Sequence, residues 1–264
     1  MFSETIINRA KVHAMTEYPK EAVGYVVNGM YVAQTNISED PLNNFEVDPK
    51  AWVNYSKMGK IQGVIHSHPI RYGENGTRQV VDYPNAVDMF CQIRTAVPWG
   101  IIVCDGEWAD APFFWGGDTP IPPLTGTKRF FRHGVTDCYS LIRDYYRLKL
   151  EILLPDYPRN WLWWEEKDED GKQHDLYSKF FADAGFYKVN PLELKPNDVF
   201  LAQLPKSEVV CHGGIYLGGP GDMILHHLSG TEPTDRSRLA VEEPGIRYQK
   251  YVVHWIRHKR VNQT

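Results

Sequence analysis

Two histidines at the end of an apolar segment could bind one metal ion. In the segment GVIHSHP, His66 and His68 are two residues apart. Because side chains alternate along a β-strand, both imidazoles would lie on the same face of the strand, within reach of one cation. A catalytic zinc ion (Zn2+) takes three protein ligands and leaves one position for water. The spacing therefore predicts a zinc site that takes its third ligand from elsewhere in the chain.

Two aspartates are candidates for that third ligand. Asp88 lies in the first turns of a helix predicted to begin near Pro84, whereas Asp82 lies before it. We favour Asp88, because Pro84 suits the first turn of a helix and so places Asp88 within it. A hydrolytic zinc site also needs a general base, and Glu21 precedes an apolar strand in YPKEAVGYVV. Its carboxylate could reach the open position of the metal.

A cysteine near the start of a second predicted helix could act as a nucleophile. In VTDCYSLIRDYYR, Cys138 follows the predicted helix cap Thr136 by two residues. The positive end of the helix dipole would lower the pKa of this thiol and favour the nucleophilic thiolate. His212, in VVCHGGIYLG, could serve as its base. His226, in MILHHLSG, could orient that base, and His227 is the alternative that strand alternation points to the other face.

Composition narrows the class of protein. Of 264 residues, 42% are apolar and 23% are charged, as in globular proteins with a packed core. A net charge of −4 provides no basic field for phosphates, so nucleic acid is not an expected partner. No apolar run approaches the roughly 18 to 20 residues of a membrane span. Besides Cys138, the cysteines form no CxxC pair, and we interpret Cys91, Cys104 and Cys211 as small buried apolar residues.

The elements that would position these residues fall into two α+β halves separated by a tract rich in proline and glycine. Periodicity in the first half predicts a helix at 4–16, strands at 22–27, 30–34 and 63–66, a helix at 84–95 and a strand at 99–104. Periodicity in the second half predicts a helix at 136–152 and strands at 199–204, 208–217, 223–228 and 251–256. We place one domain at 1–118, a linker at 119–126 and a second domain at 127–264.

The first half, over about residues 1–105, resembles the JAMM (MPN-type) metalloproteases in its upstream glutamate, HxHP segment and downstream aspartate. The resemblance implies an MPN-like mixed sheet with flanking helices, in which His66, His68 and Asp88 hold zinc. It also implies that Glu21 is the general base. Sixteen residues separate His68 from Asn85, a longer loop than in the family, and Asn85 stands where the family has serine. Its amide could support water or an oxyanion at the metal in place of the serine hydroxyl.

The second half, residues 127–264, resembles the NlpC family of papain-like cell-wall peptidases. The shared features are a DC pair at a helix start, an HGGIYLG strand and a polar residue on the next strand. The resemblance implies a papain-like helix with an antiparallel sheet, Cys138 as nucleophile, His212 as base and His226 as the orienting residue. The family's tyrosine upstream of the nucleophile has no counterpart, because Phe130 and Phe131 occupy that region.

The order of the two halves resembles the tail assembly proteins of long-tailed bacteriophages. It implies a hydrolase at the tail tip, with a cysteine endopeptidase site for peptidoglycan stem peptides and a zinc-dependent JAMM-type peptidase site. Other tail-tip proteins and peptidoglycan peptides would be the partners. The first residues lack the features of a secretory signal, which predicts synthesis in the host cytoplasm and action at the cell wall from the virion tail tip. The alternative is a structural tail-tip component with one or both sites inactive.

Overall fold

The structure is a computed structural model that describes residues 1–261. The chain divides into two compact units, Met1–Pro120 and Ile121–Thr264. Each unit combines helices with a β-sheet, so the fold is α+β as the sequence predicts. Within residues 1–261, no helix has the length and apolar character needed to cross a bilayer.

The first unit is built on a mixed five-stranded sheet. Its elements are α1 (Glu4–Glu17), β1 (Val23–Val27), β2 (Met30–Gln34), α2 (Pro49–Met58), β3 (Ile61–Pro69), β4 (Arg71–Tyr72), β5 (Arg78–Gln79), α3 (Ala86–Thr95), β6 (Trp99–Cys104) and β7 (Phe113–Trp115). The strand order is β2-β1-β3-β6-β7, with β3 and β6 parallel and the other pairs antiparallel. Strands β4 and β5 form a separate hairpin.

Local sequence explains how this unit starts. Ile6, Ala10 and Ala14 recur every four residues along α1 and are buried in one core cluster with residues of β1, β3 and β6. The predicted hairpin between β1 and β2 is confirmed, with Val27 paired to Met30 around a two-residue turn. Both turn residues have positive φ, 49° at Asn28 and 75° at Gly29. The Asn-Gly pair tolerates this conformation, which matches the twist of the two strands.

The second unit packs a long helix against an antiparallel six-stranded sheet. Its elements are α4 (Cys138–Leu150), α5 (Leu176–Phe180), β8 (Phe186–Val189), β9 (Val199–Ala202), β10 (His212–Gly218), β11 (Met223–His226), β12 (Val241–Pro244) and β13 (Val252–His258). The strand order is β12-β11-β10-β9-β13-β8. Leu141, Ile142 and Tyr146 on α4 join Leu201 of β9 and Ile215 of β10 in the core. This packing fixes the start of α4 relative to the central strands.

The structure corrects the cap of α4. Asp137, not Thr136, is the N-cap, and its side chain accepts a hydrogen bond from the amide of Ser140 at 2.8 Å. The hydroxyl of Thr136 instead donates to the carbonyl of Phe130 at 2.8 Å. Cys138 is therefore the first residue of the helix.

Candidate functional site

Strand β3 brings the two histidines of the first unit together. The Nε2 atoms of His66 and His68 are 3.1 Å apart, and both side chains are buried. Asp88 on α3 places Oδ1 3.4 Å from Nε2 of His66 and Oδ2 3.6 Å from Nε2 of His68. Among residues 1–261, the one group of potential metal ligands whose donor atoms all lie within 4.8 Å contains these three side chains, and Asp82 is not part of it.

Helix α3 holds Asp88 through its own start. The side chain of Asn85 accepts from the amide of Asp88 at 2.9 Å, and the Asp88 carboxylate accepts from the amide of Asn85 at 3.0 Å. This reciprocal capping box fixes the orientation of the carboxylate. The side-chain oxygen of Asn85 thus serves the start of the helix, and the side-chain NH₂ group is the donor that this residue offers.

Strand pairing places Glu21 beside the histidines. Val23 of β1 pairs with His66 of β3, and the carbonyl of Ala22 accepts from the amide of Ser67 at 2.8 Å. The same antiparallel register, continued by two residues from the Val23–His66 pair, sets Glu21 opposite His68. Burial raises the pKa of Glu21 to about 7, with His68 opposing the shift and Asp88 adding to it. A carboxylate of this kind can accept and return a proton near neutral pH.

These residues fit a zinc ion. The carbonyl of Val81 accepts a hydrogen bond from Nδ1 of His68 at 2.8 Å, which leaves the lone pair of this ring on Nε2, toward the cluster. Burial opposes the charge on Asp88, yet His66 and His68 hold the pKa of this carboxyl well below its usual range. Two imidazoles and one carboxylate form a ligand set typical of a catalytic zinc. Val81 lies in the long loop that contains the β4–β5 hairpin, so the extra residues help to orient the ring of His68.

The candidate nucleophile of the second unit faces a cavity. Cys138 and His212 both line a cavity of about 340 Å³ that also includes Trp161, Trp163 and Trp164. The sulfur of Cys138 is 3.2 Å from the hydroxyl oxygen of Tyr177 on α5. Within the described part of the chain, no hydrogen bond joins this sulfur to His212, so the resting thiol contacts Tyr177.

The expected low pKa of the thiol is wrong for this arrangement. Burial raises the pKa of Cys138 to about 12, and the neighbouring charge of Asp137 adds to the shift, while the Tyr177 hydroxyl opposes it. Burial also holds the pKa of His212 well below that of a free imidazole, with further lowering by His226 and His227. Desolvation therefore outweighs the helix dipole, and the resting pair is a neutral thiol with a neutral imidazole.

Three strands align the groups behind the cysteine. Nε2 of His212 on β10 is 3.1 Å from Nδ1 of His226 on β11, and Nε2 of His226 is 2.7 Å from a carboxylate oxygen of Glu243 on β12. Gly214 pairs directly with His226, and a Cβ atom at that glycine would lie 2.7 Å from Cβ of His226. The second glycine of HGGIYLG thus gives the two rings room to meet.

His227, the alternative orienting residue, lies in a different environment. Nε2 of His227 lies 3.2 Å from the carbonyl oxygen of Arg238, and the ring packs edge-on against Phe131. His227 also lines the cavity, whereas His226 is the histidine in contact with His212. The geometry supports the choice of His226 as the orienting residue.

A buried ion pair fixes the residue that precedes the cysteine. The guanidinium of Arg159 donates to both carboxylate oxygens of Asp137, at 2.9 and 3.0 Å. The amides of Ser140 and Gly134 each donate to the same carboxylate at 2.8 Å. Burial opposes the charge on Asp137, but Arg159 and His133 hold the pKa of its carboxyl below the usual range. The pair ties the segment after α4 to the residue next to Cys138.

We expect Arg159→Ala to lower the free energy of unfolding of the second unit by about 3 to 5 kcal/mol, because it leaves a buried carboxylate without its counter-charge. Urea unfolding at pH 7, followed by tryptophan fluorescence, measures the change. The control is Arg143→Ala, whose side chain is 31% exposed and contacts Asp156 at 2.7 Å. That variant should cost about 1 kcal/mol or less. Equal losses in the two variants would contradict the role of the Asp137–Arg159 pair.

We expect Tyr177→Phe to slow alkylation of Cys138 by iodoacetamide about tenfold at a fixed pH. Phenylalanine keeps the ring but removes the hydroxyl, whose hydrogen bond favours the thiolate. Mass spectrometry of the peptide that contains Cys138 measures the rate. Tyr157→Phe, in the wall of the same cavity, should leave the rate unchanged. A faster rate in Tyr177→Phe would mean that the hydroxyl shields the sulfur instead of activating it.

Sequence reasoning missed Tyr177 and Glu243. Tyr177 is 39 residues beyond Cys138 and shares no motif with it. Glu243 lies in VEEP, an edge strand with two charges and a proline, which lacks the apolar alternation of a strand.

Comparisons with known proteins show which family the chain resembles. A family model described as NlpC/P60 family matches residues 110–252, more than half of the chain. Tail tip assembly protein K of Escherichia phage N15 is 29% identical over 234 residues, which cover 85% of this chain and 84% of that protein. Tail tip assembly protein K of Escherichia phage lambda is 32% identical over 182 residues, which cover 69% of this chain and 77% of that protein.

Among solved structures, protein DSY2949 from Desulfitobacterium hafniense aligns with 44% of this chain and 84% of its own length, at 18% identity and a TM-score of 0.29. Similarity at this level carries no argument about fold or activity.

Proposed function

The chain belongs to the NlpC/P60 family, and on that premise we propose that its second unit is a cysteine endopeptidase that cleaves the stem peptides of peptidoglycan. The observation that carries the proposal is the placement of Cys138 and His212 on one cavity, with His226 in contact with His212. Nucleophile, base and orienting group are the three parts that covalent hydrolysis of an amide requires.

In the proposed reaction, substrate enters the cavity and His212 takes the proton of the Cys138 thiol as the sulfur attacks the amide carbonyl. The amine leaves with that proton, and a thioester remains on Cys138. Water, deprotonated by His212, then hydrolyses the thioester and restores the thiol. The cap Asp137 accepts from the amide of Ser140, so the amide of Cys138, the first residue of α4, would stabilise the oxyanion that forms beside the sulfur. Because burial favours the neutral thiol, His212 has to take its proton for the sulfur to attack.

We propose in addition that the first unit is a JAMM-type zinc peptidase. His66, His68 and Asp88 would hold the ion, and their burial and mutual distances support this assignment. Zinc, when bound, supplies a Lewis acid and a nucleophile at neutral pH. Glu21 would accept and return the proton, since burial places its pKa at about 7. Asn85 would donate its amide hydrogen to the developing oxyanion.

The relatives point to a place in a phage tail, since both are tail tip assembly proteins. We propose that the chain is made in the host cytoplasm, joins other tail-tip proteins and acts on the host cell wall from the virion. The alternative is a structural tail-tip component in which one or both peptidase sites are inactive. Asn85 in place of serine favours that alternative for the first unit only, because in the second unit Cys138 and His212 line one cavity and His226 contacts His212.

The test is cleavage of purified peptidoglycan by the purified full chain, with released fragments identified by mass spectrometry. The proposal predicts fragments cut at one amide bond of the stem peptide, in the presence and absence of a chelator, because the cysteine site needs no metal. Stem peptides that stay intact under all conditions would support the structural alternative. Cleavage that a chelator abolishes would assign the activity to the first unit instead.

A further inference from the structure

We propose that Glu243 is a positioning residue that fixes which nitrogen of each active-site histidine carries the proton, and so leaves Nδ1 of His212 as the basic nitrogen. This inference rests on the proposed cysteine peptidase function. The motifs that define the site contain Cys138, His212 and His226 and do not include Glu243. The assignment therefore adds a fourth group, on a strand that sequence patterns do not reveal.

Strand register puts the groups in one row. Gly214 of β10 pairs with His226 of β11, and Ile224 of β11 pairs with Glu243 of β12. Because residues two apart share a face, His212, His226 and Glu243 all project from the same side of the sheet. The contacts of 3.1 Å between the two rings and 2.7 Å between His226 and the carboxylate follow from this placement.

The protonation pattern follows from the acceptor at the end of the row. An ionised carboxylate has no proton to give, so Nε2 of His226 must be the donor in its contact with Glu243. In a neutral ring the other nitrogen, Nδ1, is then an acceptor, and it must receive a proton from Nε2 of His212. A neutral His212 that carries its proton on Nε2 keeps its lone pair on Nδ1. Each hydrogen bond therefore determines the next tautomer.

The pattern holds only while His226 is neutral and Glu243 is charged. Burial lowers the pKa of His226, although Glu243 opposes the shift. Partial burial opposes ionisation of Glu243, but its contacts with His226, Tyr248 and Arg247 lower its pKa overall. Both directions favour the required states near neutral pH. A doubly protonated His226 would donate from Nδ1 and reverse the tautomer of His212.

Two neighbours hold the carboxylate in place. The guanidinium of Arg247 donates to one oxygen of Glu243 at 2.9 Å, and the hydroxyl of Tyr248 donates to the other at 3.3 Å. The ring of Tyr248 also packs against that of His226, with 4.6 Å between centroids. Since Arg247 is 73% exposed, solvent screens its attraction for the carboxylate, and the ion pair is a weak one. The oxygen that His226 contacts remains available as an acceptor.

The direct test is the tautomer of each ring in the wild-type full chain. Correlation of imidazole protons with ¹⁵N in a histidine-labelled sample distinguishes a proton on Nε2 from one on Nδ1, and single substitutions assign the signals. We expect His212 and His226 both to carry the proton on Nε2 at pH 7. A proton on Nδ1 of His212 would overturn the inference, whether or not any variant folds.

A matched pair of variants tests the role in catalysis. Glu243→Gln keeps the size of the side chain but can donate as well as accept, so we expect mixed tautomers in both rings. We also expect kcat for stem-peptide cleavage to fall about 10- to 100-fold, the loss expected when one hydrogen bond to a charged group is removed from the transition state. KM should stay within about twofold of the wild-type value. Glu242→Gln changes the adjacent exposed residue on the other face of β12 and should alter neither measurement.

These outcomes separate the inference from the function on which it rests. If the wild type shows the expected tautomers but cleaves no stem peptide, the proposed function fails while the positioning role of Glu243 stands. If the wild type cleaves and Glu243→Gln changes neither the tautomers nor kcat, the positioning role fails and the function stands. If the role of Glu243 is merely structural, Glu243→Gln lowers the melting temperature but leaves the tautomers of the folded protein unchanged.

Discussion

Cys138→Ala should reduce cleavage of peptidoglycan stem peptides at least about a thousandfold, because the sulfur is the atom that bonds to substrate. The variant should fold normally, since alanine is the best helix former and the cap Asp137 is retained. Release of soluble fragments, measured by liquid chromatography with mass spectrometry, gives the rate. Far-UV circular dichroism and the melting temperature show whether the fold is intact.

The control for this prediction is Cys211→Ala. Cys211 lines the same cavity and directly precedes His212 in the chain. Burial raises the pKa of its thiol as well. If cleavage depends on the identity of the cysteine and not on any thiol in the cavity, this variant keeps its rate within a few-fold. Undiminished cleavage by Cys138→Ala would remove the nucleophile from the account.

Asp88→Asn should lower the zinc content of the purified chain from about one ion to nearly none, because a neutral amide replaces the one charged ligand. The asparagine oxygen can still accept from the amide of Asn85, so the start of α3 is preserved. Zinc is measured by inductively coupled plasma mass spectrometry after purification without a metal-binding tag. Zinc that binds only the folded state at a thousand times its Kd adds about 4 kcal/mol to stability, so a chelator should destabilise the wild type and not the variant.

His13→Ala provides the comparison for the metal site. His13 lies on α1 of the same unit, its Nδ1 atom is 2.9 Å from the hydroxyl oxygen of Tyr31, and it is not part of the group formed by His66, His68 and Asp88. It should keep the zinc content and the chelator sensitivity of the wild type. A wild-type protein that takes up no zinc, even after incubation with the metal, would contradict the assignment of His66, His68 and Asp88.

Parts of both sites could be predicted because short sequence patterns determine them. The HxH spacing on an apolar strand is enough to place His66 and His68 on one face, since alternation along a strand does not depend on the rest of the fold. The Asn-Gly turn that joins β1 and β2 is equally local. A glutamate placed two residues before β1 reaches the same cluster because the register of β1 with β3 carries it there.

Contacts that depend on tertiary packing could not be predicted in this way. Tyr177, on α5, contacts Cys138 and the ring of Tyr139 at the start of α4, and the periodicity of the sequence does not report such a contact. Glu243 could not be predicted because edge strands tolerate charges and proline, so the segment VEEP lacks the sequence pattern of a strand. The pKa of the thiol was predicted from the helix dipole alone, whereas burial of the sulfur is the larger effect.

The central claim is that Cys138 forms a covalent bond with substrate, and a trapped thioester tests it most directly. The full chain would be mixed with soluble stem peptides, quenched in acid within the first turnover and digested for mass spectrometry. The account predicts that the peptide containing Cys138 gains the mass of the acyl fragment, and that hydroxylamine removes this addition. Stem peptides that are cleaved with no addition on Cys138, in a reaction that a chelator stops, would contradict it.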